Sequence, residues 1–268
     1  MRIANLAGRP VLLTEAGAVG VDTDDVFAHW DELLDWSATV DESAAFEYDR
    51  RALGPAVPAP GQIFAVALNY RPHAEEAGYA APEQPLVFTK FASCLTGAFA
   101  PIPLPPGHVD WELEMVAVVG KPAYRVPEEN GWDPIVALTV GQDLSERIGQ
   151  LAGKPAQFSL GKSHPGFGPI GPALVSLDEV GDRDDLELTC TLSGEVVQHD
   201  RTSNMIFSVP RLVAHISAVC PLSPGDLIFT GTPSGVGNRR TPQRFLAGGD
   251  VLESTIESLG TMRHTFTA

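Results

Sequence analysis

A β-rich α+β chain with a small N-terminal β-β-α domain is the fold class this sequence predicts, on three observations. Gly and Pro are frequent, 26 and 23 in 268 residues, a composition that makes many turns and few long helices. Apolar runs of strand length recur with Gly or Pro between them, while few stretches carry helical spacing. Residues 53–62, "LGPAVPAPGQ", mix Pro and Gly with small side chains as linkers do, which divides the chain near residue 58. The expected units are therefore 1–57, a small N-terminal domain and linker, and 58–268, a larger mixed α+β domain.

Along the chain, "RPVLLTE" and "GAVGVDT" read as short strands. "DDVFAHWDELLDW" reads as a helix, because Val26, Phe27, Trp30, Leu33 and Leu34 recur at helical spacing. Beyond the linker the strand candidates are "IFAVALNY", "PLVFTK", "ELEMVAVVG", "PIVALTVGQD", "DLELTCTLSGEVV", "DLIFTGTP" and "DVLESTIESLG". Two further helices are expected. "PHAEEAGY" has Pro72 in a first turn, and "SVPRLVAHISAVC" places Leu212, Val213, Ile216 and Val219 on one face. There is no internal repeat and no low-complexity tract.

A formal charge of -16 and a pI near 4.7 disfavour nucleic acid and anionic membrane as partners. An anionic substrate would need a local cationic patch or a metal in such a protein. Cys94, Cys190 and Cys220 are odd in number and too widely spaced for a zinc motif, which fits a reducing cytoplasm. No stretch approaches ~18 uninterrupted apolar residues, and the N-terminus lacks an export pattern, so a cytoplasmic location is expected.

The chemistry begins at residues 108–120, "HVDWELEMVAVVG". Strand side chains alternate, so Asp110, Glu112 and Glu114 would share one face opposite Trp111, Leu113 and Met115. An amphipathic strand with its acids in water is the plain alternative. The following Met-Val-Ala-Val-Val run, apolar on both faces, argues for burial, where a carboxylate must be paired, protonated or bound to a metal. Asp143 follows the end of the next apolar run. Alone it reads as a turn or cap; with the glutamates it would complete a hard, all-oxygen site suited to Mg2+ or Mn2+. His73 and Glu76, three apart on one helix face, could form a general base with its orienting carboxylate, or merely an exposed ion pair. Lys162 stands in the Gly/Pro-rich loop "FSLGKSHPGFGPIGP" beside His164, where either could be surface decoration. "FTGTPSGVG" lacks P-loop spacing and is expected to present backbone amides and the Thr232 hydroxyl to a ligand. No nucleophile elbow is present.

Six segments in order, "ALNYRPHAEE", "DWELEMVAVVGK", "GQDLSERIGQ", "GKSHPGFGPIGP", "SNMIFSVPRLVAHIS" and "LSPGDLIFTGTPSGVG", resemble the fumarylacetoacetate hydrolase superfamily from about Phe64 to the C-terminus. The resemblance implies a mixed-sheet roll or sandwich of the fumarylacetoacetase C-terminal type. It implies Glu112, Glu114 and Asp143 as ligands of Mg2+ or Mn2+, with Asp110 a preceding acid that is not a ligand. It further implies His73 and Glu76 as a dyad on a lid helix, Lys162 as the lysine beside the metal, and Arg147, Gln150 and Thr232 as pocket residues. The family commonly has Asp where Pro165, Ile148 and Asn204 stand here; the first change removes a carboxylate near the lysine. The implied activity is hydrolysis of a carbon–carbon bond in small 2-oxo or 1,3-dioxo acids of acylpyruvate or fumarylpyruvate type, through a metal-bound enolate, as in aromatic catabolism. Alternatives are an oxaloacetate-type decarboxylase, a hydratase or isomerase, or a non-catalytic ligand-binding homologue. A small anionic carbonyl acid and a second copy of the chain are the expected partners.

Overall fold

Three short strands open the computed structural model, which describes residues 1–268. β1 (Arg2–Leu6), β2 (Arg9–Thr14) and β3 (Gly17–Gly20) form an antiparallel meander, and α1 (Trp30–Ser37) follows. Then come β4 (Ile63–Ala67), α2 (Arg71–Glu76), β5 (Leu86–Thr89), and the two-residue pieces β6 (Leu95–Thr96), β7 (Ile102–Pro103) and β8 (Val109–Asp110). β9 (Leu113–Val119) pairs with β10 (Ile135–Gln142); β11 (Ser145–Glu146) leads into α3 (Arg147–Gln150), and β12 (Gly168–Ser176) returns to the sheet. The chain closes with β13 (Glu187–Leu192), β14 (Glu195–Arg201), α4 (Val209–Ser217), β15 (Leu227–Phe229), β16 (Val251–Ile256) and β17 (Gly260–Thr267).

A ten-stranded mixed sheet runs β3-β2-β1-β12-β10-β9-β15-β4-β5, with β6 attached to β12, and a five-stranded sheet runs β14-β13-β16-β17-β7. The larger core lies between them: Met115 and Leu138 from the first sheet meet Leu188, Leu252 and Met262 from the second. A second core covers the other face, where Val116 and Val118 meet Trp30 and Leu33 of α1. β9 is thus buried on both faces, with odd positions in one core and even positions in the other. Its uninterrupted apolar stretch follows from that placement.

Several sequence expectations need correction. The run beginning at His108 is not one strand: it breaks at Trp111 and Glu112, and Asp110 pairs with Ser145 in the separate β8–β11 ribbon. α1 starts only at Trp30, because residues 26–29 form a turn from which Val26 and Phe27 still pack on the second core. α4 ends at Ser217 with Ala218 as its cap, so Val219 leaves the apolar face and is 78% exposed. "DLELTCTLSGEVV" is a hairpin, turned at Ser193 and Gly194, both with positive φ. Part of the Gly/Pro-rich stretch read as loop is the central strand β12. A bulge against β10 between Leu138 and Val140 takes Pro172 out of the ladder, which is how a sheet interior accommodates proline.

The N-terminal strands are fused to the main sheet through the β1–β12 ladder, with Arg2 opposite Val175 and Ile3 opposite Leu174. The 53–62 segment packs as well: Leu53, Ala56 and Val57 are buried, and the Gly54 amide donates to the Asn5 carbonyl at 2.8 Å. No helix is long and apolar enough to cross a membrane.

Candidate active site

Two strand ends bring the carboxylates together. Glu114, in β9, accepts a 2.7 Å hydrogen bond from the Gly231 amide. Gly231 has φ +96°, and a Cβ there would stand 2.6 Å from that of Asn69, so only glycine allows this approach. Glu112 lies in the break before β9. Its amide donates to Gln142 Oε1 and its carbonyl accepts from the Asp143 amide, both at 2.9 Å, which fixes Glu112 beside the residue that ends β10. Oxygens of Glu112, Glu114 and Asp143 lie within 4.8 Å of one another, and all three residues are buried.

Lysines tie this floor together. Lys162 Nζ donates to Glu112 Oε2 at 2.8 Å and to Asp143 Oδ2 at 2.6 Å, and Lys90 Nζ donates to Asp143 Oδ1 at 2.6 Å and also to the Lys162 carbonyl. Burial works against the Lys162 charge, but Asp143 and Glu112 outweigh it and raise its pKa, so the ammonium persists. Burial likewise pushes the Glu112 carboxyl up; Lys162, Arg147 and His73 outweigh that and hold it at about 2. Glu114 has no cationic partner. Burial first, then the charges of Asp143 and Glu112, hold its carboxyl well above the usual range. Three buried carboxylates with no nitrogen or sulfur donor among them, one lacking a counter-charge, fit a hard divalent cation such as Mg2+ or Mn2+.

Asp110 faces elsewhere. Its Oδ1 accepts from Arg147 Nε and its Oδ2 from the Asn238 amide, each at 2.6 Å. Arg147 opens α3, capped by Glu146, whose carboxylate accepts from the Ile148 and Gly149 amides. Its Nη1 donates to Gln150 Oε1 at 2.9 Å, and Nη2 makes an ion pair with Glu112 Oε1 at 2.8 Å. A cavity of about 580 Å³ opens above this floor, lined at its polar end by His73, Glu112, Arg147, Gln150, Lys162 and Thr232. Its exposed lining is largely apolar, including Tyr79, Leu86 and Leu151, while the Phe88 ring lies 5.1 Å from Lys162 Nζ with Phe158 packed edge-on against it. Glu114 and Asp143 do not line it.

His73 and Glu76 are not a surface pair. His73 Nδ1 is 3.1 Å from Glu76 Oε2, and Glu76 Oε1 accepts from the Gly235 amide at 2.9 Å, so the dyad is docked on the loop after β15. Thr232 lines the cavity, and its hydroxyl donates to the Leu113 carbonyl at 2.9 Å and accepts from Gln198 at 2.8 Å. The missing acids have little to act on. Pro165 and Ile148 are exposed and outside the cavity lining, and Asn204 bonds Asp200 at 2.6 Å. Lys162 has its carboxylates from Glu112 and Asp143 instead.

Sequence reasoning missed Lys90, Asn238 and Arg239. Lys90 had a signal, since it ends the apolar run "PLVFTK" and is now buried against Asp143. Asn238 and Arg239 had none, because they follow the recognised "TGTPSGVG" segment without a motif of their own.

The sequence profile of the fumarylacetoacetate (FAA) hydrolase C-terminal family matches residues 62–267. Among curated relatives, a 2,4-didehydro-3-deoxy-L-rhamnonate hydrolase of Sphingomonas sp. (strain SKA58) is 41% identical over 206 residues, 76% of this chain and 72% of that protein. The mitochondrial oxaloacetate tautomerase fahd2 of Xenopus laevis is 39% identical over 203 residues, 75% of this chain; the match spans 64% of that longer protein. A crystal structure of a protein provisionally named HpcE, from Mycobacterium smegmatis, superposes with a TM-score of 0.93 at 47% identity, covering 100% of this chain and 99% of that one.

Proposed function

The chain belongs to the fumarylacetoacetate hydrolase family, and we propose that it is a divalent-metal-dependent hydrolase of small 2-oxo or 1,3-dioxo acids, cleaving a carbon–carbon bond in substrates of acylpyruvate or fumarylpyruvate type. The observation that carries this reading is the pairing of buried His73 with half-buried Glu76 at the cavity. Mg2+ or Mn2+, held by Glu112, Glu114 and Asp143, would supply Lewis acidity to the substrate's carboxylate and enolate oxygens. With the Nδ1 proton of His73 directed at Glu76, Nε2 is free to take a proton from a water whose oxygen attacks the carbonyl farther from the carboxylate. The adjoining carbon–carbon bond then breaks. Its electron pair passes to the enolate of the departing 2-oxo acid, and the proton held by His73 goes to that carbon. The Lys162 ammonium offsets the enolate charge as it develops, while Arg147 and Gln150 orient the carboxylate.

One observation favours a second reading, the likeness to an oxaloacetate tautomerase. Tautomerisation needs no water, and His73 would then carry a proton between carbon and oxygen; decarboxylation or hydration of related acids would use the same floor. A product-resolved assay with acylpyruvates, oxaloacetate and 2-hydroxydienoates, in Mg2+ or Mn2+, separates these. For hydrolysis, His73→Ala should lower acylpyruvate cleavage by ~100-fold to 10,000-fold, the usual contribution of a general base. Acylpyruvate cleavage within about threefold of wild type in that variant, while Lys162→Met abolishes it, would show the water-activating role to be wrong.

The same reading takes the protein as a cytoplasmic homodimer serving aromatic catabolism. All three cysteines are free, and Phe91, Ile148 and Leu160, exposed and outside the cavity lining, supply apolar surface for a second copy. Light scattering at micromolar concentration should give twice the 28.5 kDa chain mass; a value near one chain refutes the dimer.

A further inference from the structure

We infer that Arg239 is a specificity residue receiving a second, distal carboxylate, so that the preferred substrates are 2-oxo dicarboxylic acids; this rests on the reading of the cavity as a carbonyl-acid site. Four basic side chains line the cavity: His73, Arg147, Lys162 and Arg239. Three are already engaged. His73 is paired with Glu76, Arg147 with Asp110 and Glu112, and Lys162 with Glu112 and Asp143. Arg239 is exposed, forms no ion pair and makes no side-chain hydrogen bond, whereas its neighbour Arg240 is held by Glu195 at 2.5 Å. The only acid lining the cavity is Glu112, so nothing in the wall neutralises Arg239.

The root of this arginine is fixed although its head is free. Gly237 lies so close to Asp110 that a Cβ would stand 2.9 Å from the Asp110 Cβ. The Asn238 amide donates to Asp110 Oδ2 at 2.6 Å, while Asp110 Oδ1 holds Arg147 Nε at the same distance. Gln243 Nε2 clamps the Asn238 carbonyl at 2.9 Å. One buried carboxylate therefore sets both the floor arginine and the backbone from which Arg239 projects. Of the exposed residues that line the cavity, among them Tyr79, Leu86 and Leu151, Arg239 alone is charged, which leaves it as the group there able to distinguish an anionic tail from an apolar one. A planar guanidinium with all its donors free suits a carboxylate.

The test is calorimetric binding to the Mg2+-loaded protein of 2-oxoglutarate and 2-oxopentanoate, which differ in a terminal carboxylate. Wild type should bind the diacid roughly 10-fold more tightly, the scale of one charge-assisted hydrogen bond at a partly exposed site. Arg239→Met should erase that preference while leaving the monoacid within about twofold, and Arg239→Lys should restore part of it. Wild type binding both acids equally, Arg239→Met keeping the preference, or an equal loss on both acids would each overturn the assignment. Failure of wild type to bind either acid would instead overturn the reading of the cavity, and the role of Arg239 with it.

Discussion

Lys162 and Arg239 bring positive charge to the same cavity, yet Lys162 is buried between carboxylates at 2.6 and 2.8 Å while Arg239 stands exposed and forms no ion pair. The difference separates two kinds of work. On the floor, Glu112, Asp143, Lys90 and Lys162 are interlocked, so each position depends on the others and the electrostatics are set before a substrate arrives. On the rim, partners are few, and charges there respond to the ligand's own groups. On the proposed function, the floor would serve chemistry common to many carbonyl acids and the rim would choose among them.

The sharpest way to break the floor is Asp143→Ala. It strands the ammonium of Lys90 and leaves Lys162 only Glu112, and unpairing a buried charge costs about 3–5 kcal/mol. Urea denaturation of the metal-free protein should show a loss of that size, and a change below about 1 kcal/mol would mean the floor is not interlocked. By contrast, Arg239→Met should leave the urea midpoint unchanged.

A middle-sized effect should appear in pH dependence. Glu114 has its folded pKa raised above the ordinary 4.5, so between that value and the raised one the folded chain binds a proton that the unfolded chain has released. Stability of the metal-free protein should therefore fall as pH rises through that window. Glu112 has the opposite sign: held at about 2, it stabilises above 4.5 and loses that contribution as pH falls toward 2. A divalent cation held by these carboxylates would take the place of the Glu114 proton, so the gain in Tm on adding Mg2+ should grow with pH. Thermal scans in chelator and in Mg2+ from pH 5.5 to 8 check this; a Mg2+ gain that shrinks toward pH 8 would contradict it.

The smallest effect is expected for Pro165→Asp, which restores the acid common in the family. Position 165 is exposed and outside the cavity lining, so turnover should stay within about twofold and stability within about 0.5 kcal/mol. A tenfold gain in turnover would show that the floor lacks a carboxylate it needs.

Much of the floor was legible from residue order. The acids of "ELEMVAVVG" and the Asp after "PIVALTVGQ" pointed to three carboxylates meeting, and the structure brings all three within 4.8 Å, although Glu112 lies in the break before β9 and Asp110, grouped with them by alternation, turns to Arg147. The rest was hidden for identifiable reasons. β12 was obscured by its prolines, which a bulge accommodates, and α4 was drawn too long because Val219 keeps the apolar period after the backbone has left the helix. Nothing local shows that the hydroxyl of Thr232, a cavity-lining residue, meets the Leu113 carbonyl across 119 positions.

The sequence by itself determined the local terms: that apolar runs such as those of β9 and β10 are strands, that acids beside them must be paired, protonated or metal-bound, and that a strand apolar at every position is covered on both faces. These follow from the period of the backbone and the cost of burying charge. Only the tertiary structure decided which charge meets which. Lys90 reaches Asp143 across 53 positions, and Asp110 joins Arg147 to the Asn238 amide 128 positions away, while Arg239 is left unpaired. Ion pairing falls off over a few ångströms in space and takes no account of distance along the chain. A buried, paired lysine and a free arginine at the cavity rim therefore look alike until the fold brings their neighbours to them.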